Sequence, residues 1–301
     1  RMMTMTLQTI WQLIRRWLMR FWVPLVVVLT LLTTAVMTTT FLLHRQQVTV
    51  KISNVPIHTE RGVLAPGAGV LKKGEHLQIL KRESGWYEVR REDESKAWVA
   101  GWLVERTQPL SKLSPLSEAT VVLDPGHGGS DSGALSNHDQ YEKKYTLELA
   151  KKVEAELKSH GTRVIMTRDT DKLVALPDIP KIAEMRHSDM FISFHFDSAP
   201  ESNSASGYTT YYYHTKNGSK DLASAVNTAI SPEMPKNMPN KGVAFGDYLV
   251  LRDNKVPAIL MENGYINSDR DFNHFKTARF QQKIADALPY GLERYLEEHK
   301  K

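Results

Sequence analysis

The sequence predicts an α/β fold over residues 119–301, a mostly parallel sheet flanked by helices, preceded by a small all-β barrel and one N-terminal transmembrane helix. Three observations carry that reading. Residues 22–43 form a run of 22 without a charge, enough at helical rise to cover a hydrocarbon layer of roughly 30 Å. Residues 48–106 are short alternating apolar segments separated by glycine, about ten residues apart, the spacing of strands in a small barrel. Beyond residue 119, strand-like and helix-like segments alternate, as in a layered α/β domain.

The first segment, 1–21, is basic and amphipathic. Leu7, Ile10, Trp11, Ile14, Trp17, Leu18 and Phe21 recur at helical spacing, with Arg15, Arg16 and Arg20 between them. That pattern suits either an interfacial helix or a plain extension of the span. Arg1, Arg15, Arg16 and Arg20 precede the span and no acid occurs before Glu60, so the positive-inside rule puts the N-terminus in the cytoplasm and everything after residue 44 outside. A cleaved signal peptide is the rival, but its apolar core would be shorter, about 7–15 residues. Within the span, Thr30, Thr34 and Thr38 share one face. Such a face packs against a second transmembrane helix, or bonds back to its own.

Composition removes several chemistries. The chain has no cysteine, so disulfides, thiolate metal sites and cysteine nucleophiles are excluded, and any metal must sit on His, Asp or Glu. The net charge of +5 suits a polyanionic neighbourhood. Nucleic acid is not expected as a partner, because the basic excess is scattered and the topology points outward.

In the segment 44–106, "KKGE" with Gly74, "SGWYEVR" at 84–90 and "AWVAGWLV" at 97–104 follow one another in an order that resembles a bacterial SH3-like (SH3b) domain. That resemblance implies a wall-binding module or a spacer above the membrane. The family's usual "N-hydrophobic-R-x-G-P" opening is present only in the altered form VPIHTERGVLAPGAG at 55–69. Residues 107–118, TQPLSKLSPLSE, read as a linker.

In 119–301 the strand-like segments are 120–123, TRVIMT at 162–167, MFISF at 190–194, GYTTYYY at 207–213 and AILM at 258–261. Helical patterns cover Leu149, Val153 and Leu157, then 219–230 and 277–296. Chemistry in such folds gathers beyond the carboxyl ends of strands. His127, His195 and Glu262 each follow a strand, and Glu142 opens the helix after the glycine loop. Two imidazoles and one carboxylate make a common ligand set for a catalytic zinc with its fourth position open to water, and a second carboxylate would serve as base. Each residue alone has an ordinary explanation as a loop, strand-end or helix-start residue; together they point to a metal. Asp131 is expected to hold the loop through its backbone. Asp124 is expected to orient a ligand histidine by a hydrogen bond.

At this point a resemblance covers the whole C-terminal half. "LDPGHGGSDSGA" at 123–134, "YEKKYTLELA" at 141–150, "ISFHFDSA" at 192–199, "SGYTTYYY" at 206–213 and "LVLRDNKVPAILMENGYINS" at 249–268 resemble the zinc-dependent N-acetylmuramoyl-L-alanine amidases of the cell wall, the Amidase_3 family. The resemblance implies that His127, Glu142 and His195 bind Zn2+ and that Glu262 is the catalytic glutamate. It implies peptidoglycan as substrate, cut between the lactyl group of N-acetylmuramic acid and L-alanine. With the anchor at 22–43, it further implies a single-pass protein whose catalytic domain lies outside the membrane of a Gram-positive-type envelope. Two departures stand out: "HFDSA" stands where the family usually reads His-Ala-Asn-Ala, so Phe196 and Asp197 change the residues beside the metal, and the usual arginine after the leucine of TRDTDKLVAL is absent. No long insertion carries an autoinhibitory helix, so control would come from a separate membrane protein at the Thr30/Thr34/Thr38 face. The rival readings are a zinc peptidase cutting within the stem peptide and a non-catalytic wall-binding scaffold.

Overall fold

The structure, a computed structural model, describes residues 7–300. Arg1, counted above in the basic flank, lies outside them. Two units are present, Arg1–Val48 and Thr49–Lys301.

The first unit is helix α1 (Leu7–Arg45), continuous for 39 residues through Pro24. The amphipathic and apolar segments are therefore one helix, about 60 Å long at 1.5 Å per residue. Its stretch Leu7–Phe41 is long and apolar enough to cross a membrane, with none of its most apolar window buried. The hydroxyls of Thr30, Thr34 and Thr38 donate to the carbonyls of Val26, Thr30 and Thr34 at 2.8, 2.8 and 2.7 Å. Each is thus satisfied within its own helix.

The small sheet comprises β1 (Gln47–Thr49), β2 (Val55–His58), β3 (Gly67–Leu71), β4 (His76–Glu83), β5 (Trp86–Arg90) and β6 (Lys96–Ala100), in the order β1-β4-β5-β6-β2-β3. Strands β2 to β6 pair antiparallel. Alternation turns Val55, Ile57, Leu77, Ile79, Val89, Ala97 and Val99 inward. The stretch 97–104, expected as one strand, breaks at Gly101. A Cβ there would overlap the Tyr87 ring, and the chain turns into helix α2 (Gly101–Val104), burying Leu103 and Val104.

The end of the segment 107–118 is built into the junction between the sheets. Residues Pro115–Glu118 form a 3-10 turn with Leu116, Ser117 and Glu118 buried. Trp102 Nε1 donates to the Ser117 carbonyl at 2.9 Å. The Arg163 guanidinium donates to the Ser84 carbonyl and lies 5.8 Å from the Trp102 ring centroid.

The large sheet follows in chain order: β7 (Thr120–Pro125), α3 (Glu142–Ser159), β8 (Arg163–Met166), α4 (Ile179–Met185), β9 (Met190–Asp197), β10 (Tyr208–Tyr212), α5 (Ser219–Ile230), β11 (Asn240–Phe245), α6 (Leu249–Arg252), β12 (Ala258–Tyr265), α7 (Asp269–Phe275) and α8 (Ala278–His299). Its order is β11-β10-β12-β9-β7-β8. Strands β8, β7, β9 and β12 are parallel, while β10 runs antiparallel to β12 and pairs parallel with β11. Val122, Phe191, Ala258 and Leu260 pack against Ile179 and Ala183 of α4 and against Val250 and Leu251 of α6. Helices α3 and α5 pack on the sheet, and α8 packs on both of them.

Candidate metal centre and active site

Parallel register assembles the site. Pro125 of β7 sits opposite Phe194 of β9, and His195 of β9 sits opposite Glu262 of β12. The loop carrying His127, the His195 side chain and Glu262 therefore emerge together near the carboxyl edge. Helix α3 brings in Glu142 as its first residue.

Glu142 joins the two histidines. Its carboxylate lies 3.0 Å from His127 Nε2 and 3.0 Å from His195 Nδ1, and the three donor atoms fall within 4.8 Å of one another. The imidazole rings are nearly perpendicular, at 81°. Two glycines of the loop make this approach possible. A Cβ on Gly126 would overlap the His195 ring, and one on Gly133 would lie 2.6 Å from both Glu142 Oε2 and His127 Cδ2. His127 itself has φ +64°, a conformation that non-glycine residues seldom hold without support.

Electrostatics follow from burial and contact. Glu142 is 3% exposed and accepts from the backbone N–H groups of Ala134 and Phe196, both at 3.0 Å. Burial opposes its ionisation, but His127 and His195 outweigh that and hold it well below the usual carboxylate range. Burial likewise pulls His127 down, while Glu142 and Asp131 outweigh it and lift its pKa to about 9. Glu262 is 8% exposed and one of its oxygens is buried without a hydrogen-bond partner. Burial first, then the charges of Glu142 and Asp197, push its pKa well above the ordinary value.

The expectation for Asp124 needs correction. Its two oxygens accept from the Thr167 and Ser193 hydroxyls, both at 2.7 Å, so it braces strand ends and reaches neither histidine. Asp131 orients His127 instead: one oxygen meets His127 Nδ1 at 2.9 Å while the other accepts from the Gly133 N–H at 3.0 Å. The backbone role expected of Asp131 is therefore only half of what it does. A neighbour four residues from a histidine, in a glycine-rich turn, is the signal that could have found it.

The two residues that follow His195 take different places. Phe196 turns away from the donors and stacks on Phe275 with ring centroids 4.0 Å apart. The adjacent aromatic cluster of Tyr145, Phe272 and Phe275 accommodates its bulk. Asp197 lies beside Tyr265 in the register with β12.

A cavity of about 280 Å³ runs along His127 and His195, walled by Asp131, Leu173, Leu176 and Val250. It lies on the β7 side of the donors, and Glu262 stands on the β12 side. The donor set fits a zinc ion in kind: two imidazoles and one carboxylate make a common catalytic ligand set, and their donor atoms lie within 4.8 Å of one another.

The sequence and the fold are similar to those of known proteins. Residues 121–294 match the family model for N-acetylmuramoyl-L-alanine amidase, and residues 53–105 match the bacterial SH3 domain. The chain belongs to the N-acetylmuramoyl-L-alanine amidase family. It is 36% identical over 248 residues to the probable cell wall amidase LytH of Staphylococcus epidermidis, covering 80% of this chain and 82% of that protein. Its identity to the Staphylococcus aureus counterpart is 35% over 250 residues, with the same coverage. Among solved structures, amidase AmiC2 of Nostoc punctiforme is 34% identical with a TM-score of 0.56, covering 60% of this chain and 97% of that one. The CwlD amidase of Clostridioides difficile, solved in complex with the GerS lipoprotein, is 26% identical with a TM-score of 0.56, covering 60% and 99%. The chain is thus an enzyme, an N-acetylmuramoyl-L-alanine amidase carrying an SH3b domain.

Proposed function

We propose that this amidase is anchored in the membrane through residues 22–43, binds zinc on His127, Glu142 and His195, and uses Glu262 to move the proton. The observation that carries the reading is the convergence of three donors within 4.8 Å beside a buried carboxylate oxygen that nothing satisfies. Zinc held there supplies polarisation of the scissile carbonyl and acidification of water. Asp131 keeps His127 turned toward Glu142. Glu262 takes a proton from the attacking water and returns it to the departing nitrogen as the C–N bond breaks. The products are the lactyl carboxylate on the glycan and a stem peptide with a free L-alanine amine.

The test is digestion of purified peptidoglycan by the full-length chain, with mass analysis of the fragments. Release of stem peptides that begin at L-alanine, leaving lactyl groups intact, supports the reading; cuts within the stem peptide would establish the zinc peptidase instead.

Topology and control complete the proposal. The basic residues Arg15, Arg16 and Arg20 precede the span, which supports a cytoplasmic N-terminus and a catalytic domain outside the membrane of a Gram-positive-type envelope. The Thr30/Thr34/Thr38 face is the contact for a membrane-protein activator. CwlD, a relative with a lipoprotein partner, supports control by a second protein. Replacing the three threonines by leucine is expected to lower wall hydrolysis in native membranes and to lose a co-purifying protein. Unchanged activity and unchanged co-purification would remove this contact from the proposal.

A further inference from the structure

The site described so far leaves one large buried charge without a role. Arg168, two residues beyond β8, is 1% exposed. A buried guanidinium is costly unless its N–H groups are satisfied, and this one spends them on carbonyl oxygens. Nη2 donates to the Gly126 carbonyl at 2.9 Å and to the Lys143 carbonyl at 2.9 Å. Gly126 immediately precedes His127, and Lys143 immediately follows Glu142. One nitrogen therefore ties the backbone beside one proposed ligand to the backbone beside another.

The remaining contacts stiffen that tie. Nε donates to the Pro125 carbonyl at 2.8 Å, and Nη1 to the Thr170 carbonyl at 3.1 Å. Thr146 of α3 donates to the Gly126 carbonyl at 2.8 Å and accepts from Nη2 at 3.1 Å. On the far side of His127, Asp171 accepts from the Gly129 N–H at 2.8 Å and from Lys143 Nζ at 2.8 Å. The turn 168–171 thus grips the glycine loop on both sides of His127, where the backbone holds its positive φ.

We infer that Arg168 is the positioning residue of the metal centre: by clamping the Gly126 and Lys143 carbonyls it sets the separation of His127 and Glu142 before a metal arrives. The inference rests on the zinc reading above. Lysine cannot replace the arginine, because an ammonium is a point donor and the clamp needs a planar fork.

The test uses the full-length chain in detergent micelles, stripped of metal and titrated with zinc against a competing chelator, parent beside Arg168→Lys. Unfolding midpoints of the metal-free forms are measured alongside, with kcat and KM at a series of zinc concentrations. The expected result is a zinc Kd weakened roughly 10- to 100-fold, a kcat that recovers as zinc is raised, an unchanged KM and a metal-free unfolding midpoint close to the parent's. A lowered midpoint with an unmoved Kd marks a purely structural arginine and overturns the inference. A parent that binds no zinc overturns the zinc reading and this inference together, whereas tight parent binding matched by the variant overturns this inference alone. Should Arg168→Lys not fold, Thr146→Val reads the same quantity. It removes the hydroxyl that lies between Arg168 Nη2 and the Gly126 and Lys143 carbonyls, and a Kd equal to the parent's would overturn the clamp.

Discussion

His58 meets Glu118 at 2.7 Å where the small sheet joins the large one, and His127 meets Glu142 at 3.0 Å at the carboxyl edge of the large sheet. Both glutamates are nearly buried, and both histidines are raised in pKa by their carboxylate partner against the opposing effect of burial. The pairs differ in what surrounds them. His58 is 1% exposed and its second nitrogen contacts the Ala65 carbonyl, so no donor is left to share. His127 has a second imidazole 4.8 Å away, a cavity beside it and an unsatisfied carboxylate on the next strand but one. A histidine–glutamate contact therefore says little by itself; a third donor and an opening separate a metal centre from a junction.

Removing the third donor breaks the comparison most severely. His195→Ala is expected to retain no zinc in metal analysis and to lose wall hydrolysis to the limit of detection, since two donors remain. His58→Ala is expected to keep both zinc and the turnover of its folded fraction. Next comes Glu262→Gln, which leaves the donors in place and removes the proton carrier. Its kcat is expected to fall by about 10²–10⁴ with zinc content unchanged, and a variant that hydrolyses wall at the parent rate would show that another group moves the proton.

The two regions were not equally legible in the sequence. Three residues of the proposed site, His127, His195 and Glu262, stand out because parallel strands end in polar residues among glycines, and the register of β7, β9 and β12 brings them together, while Glu142 stands out at the start of the helix after the glycine loop. The junction is hidden because Leu116 and Glu118 sit in a Ser- and Pro-rich stretch that reads as linker, although both are buried. Strand β11, NKGVAF, escapes notice because it lacks alternation and is only partly covered at the sheet edge. Helices α4 and α7 escape because each has only seven residues, too few to show a period. Arg168 is invisible for a different reason. Its partners are a set of backbone carbonyls, which no spacing in the sequence encodes; Asp131 left only its place four residues from His127 as a signal.

At the junction the expected effect moves from activity to stability. Glu118→Leu removes one partner and leaves His58 buried, which costs about 3–5 kcal/mol. Urea unfolding should show that loss, while zinc content and the kcat of the folded fraction stay at parent values. Adding His58→Leu should restore most of the stability, because two apolar side chains replace a pair whose desolvation was already expensive, and because Glu118 Oε1 has no hydrogen-bond partner to lose. A double variant no more stable than the single would show that the pair gains more from its contact than its burial costs.

The smallest effect is a pH dependence belonging to the junction alone. His58 has a folded pKa above its ordinary 6.5, because Glu118 outweighs the burial that would lower it. The folded chain then holds the proton more tightly than the unfolded one. The pair's contribution to stability is complete below about pH 6.5 and is lost as pH rises through the folded value. Other groups titrate over the same range, so the quantity to measure is the difference in urea midpoint between the parent and the His58→Leu/Glu118→Leu double variant, taken at pH 6 and at pH 9. That difference should shift against the parent on going to pH 9, by less than the Glu118→Leu loss. A difference that stays constant would mean His58 is neutral throughout and joins Glu118 only as a hydrogen-bond donor, leaving shape and not charge to hold the two sheets together.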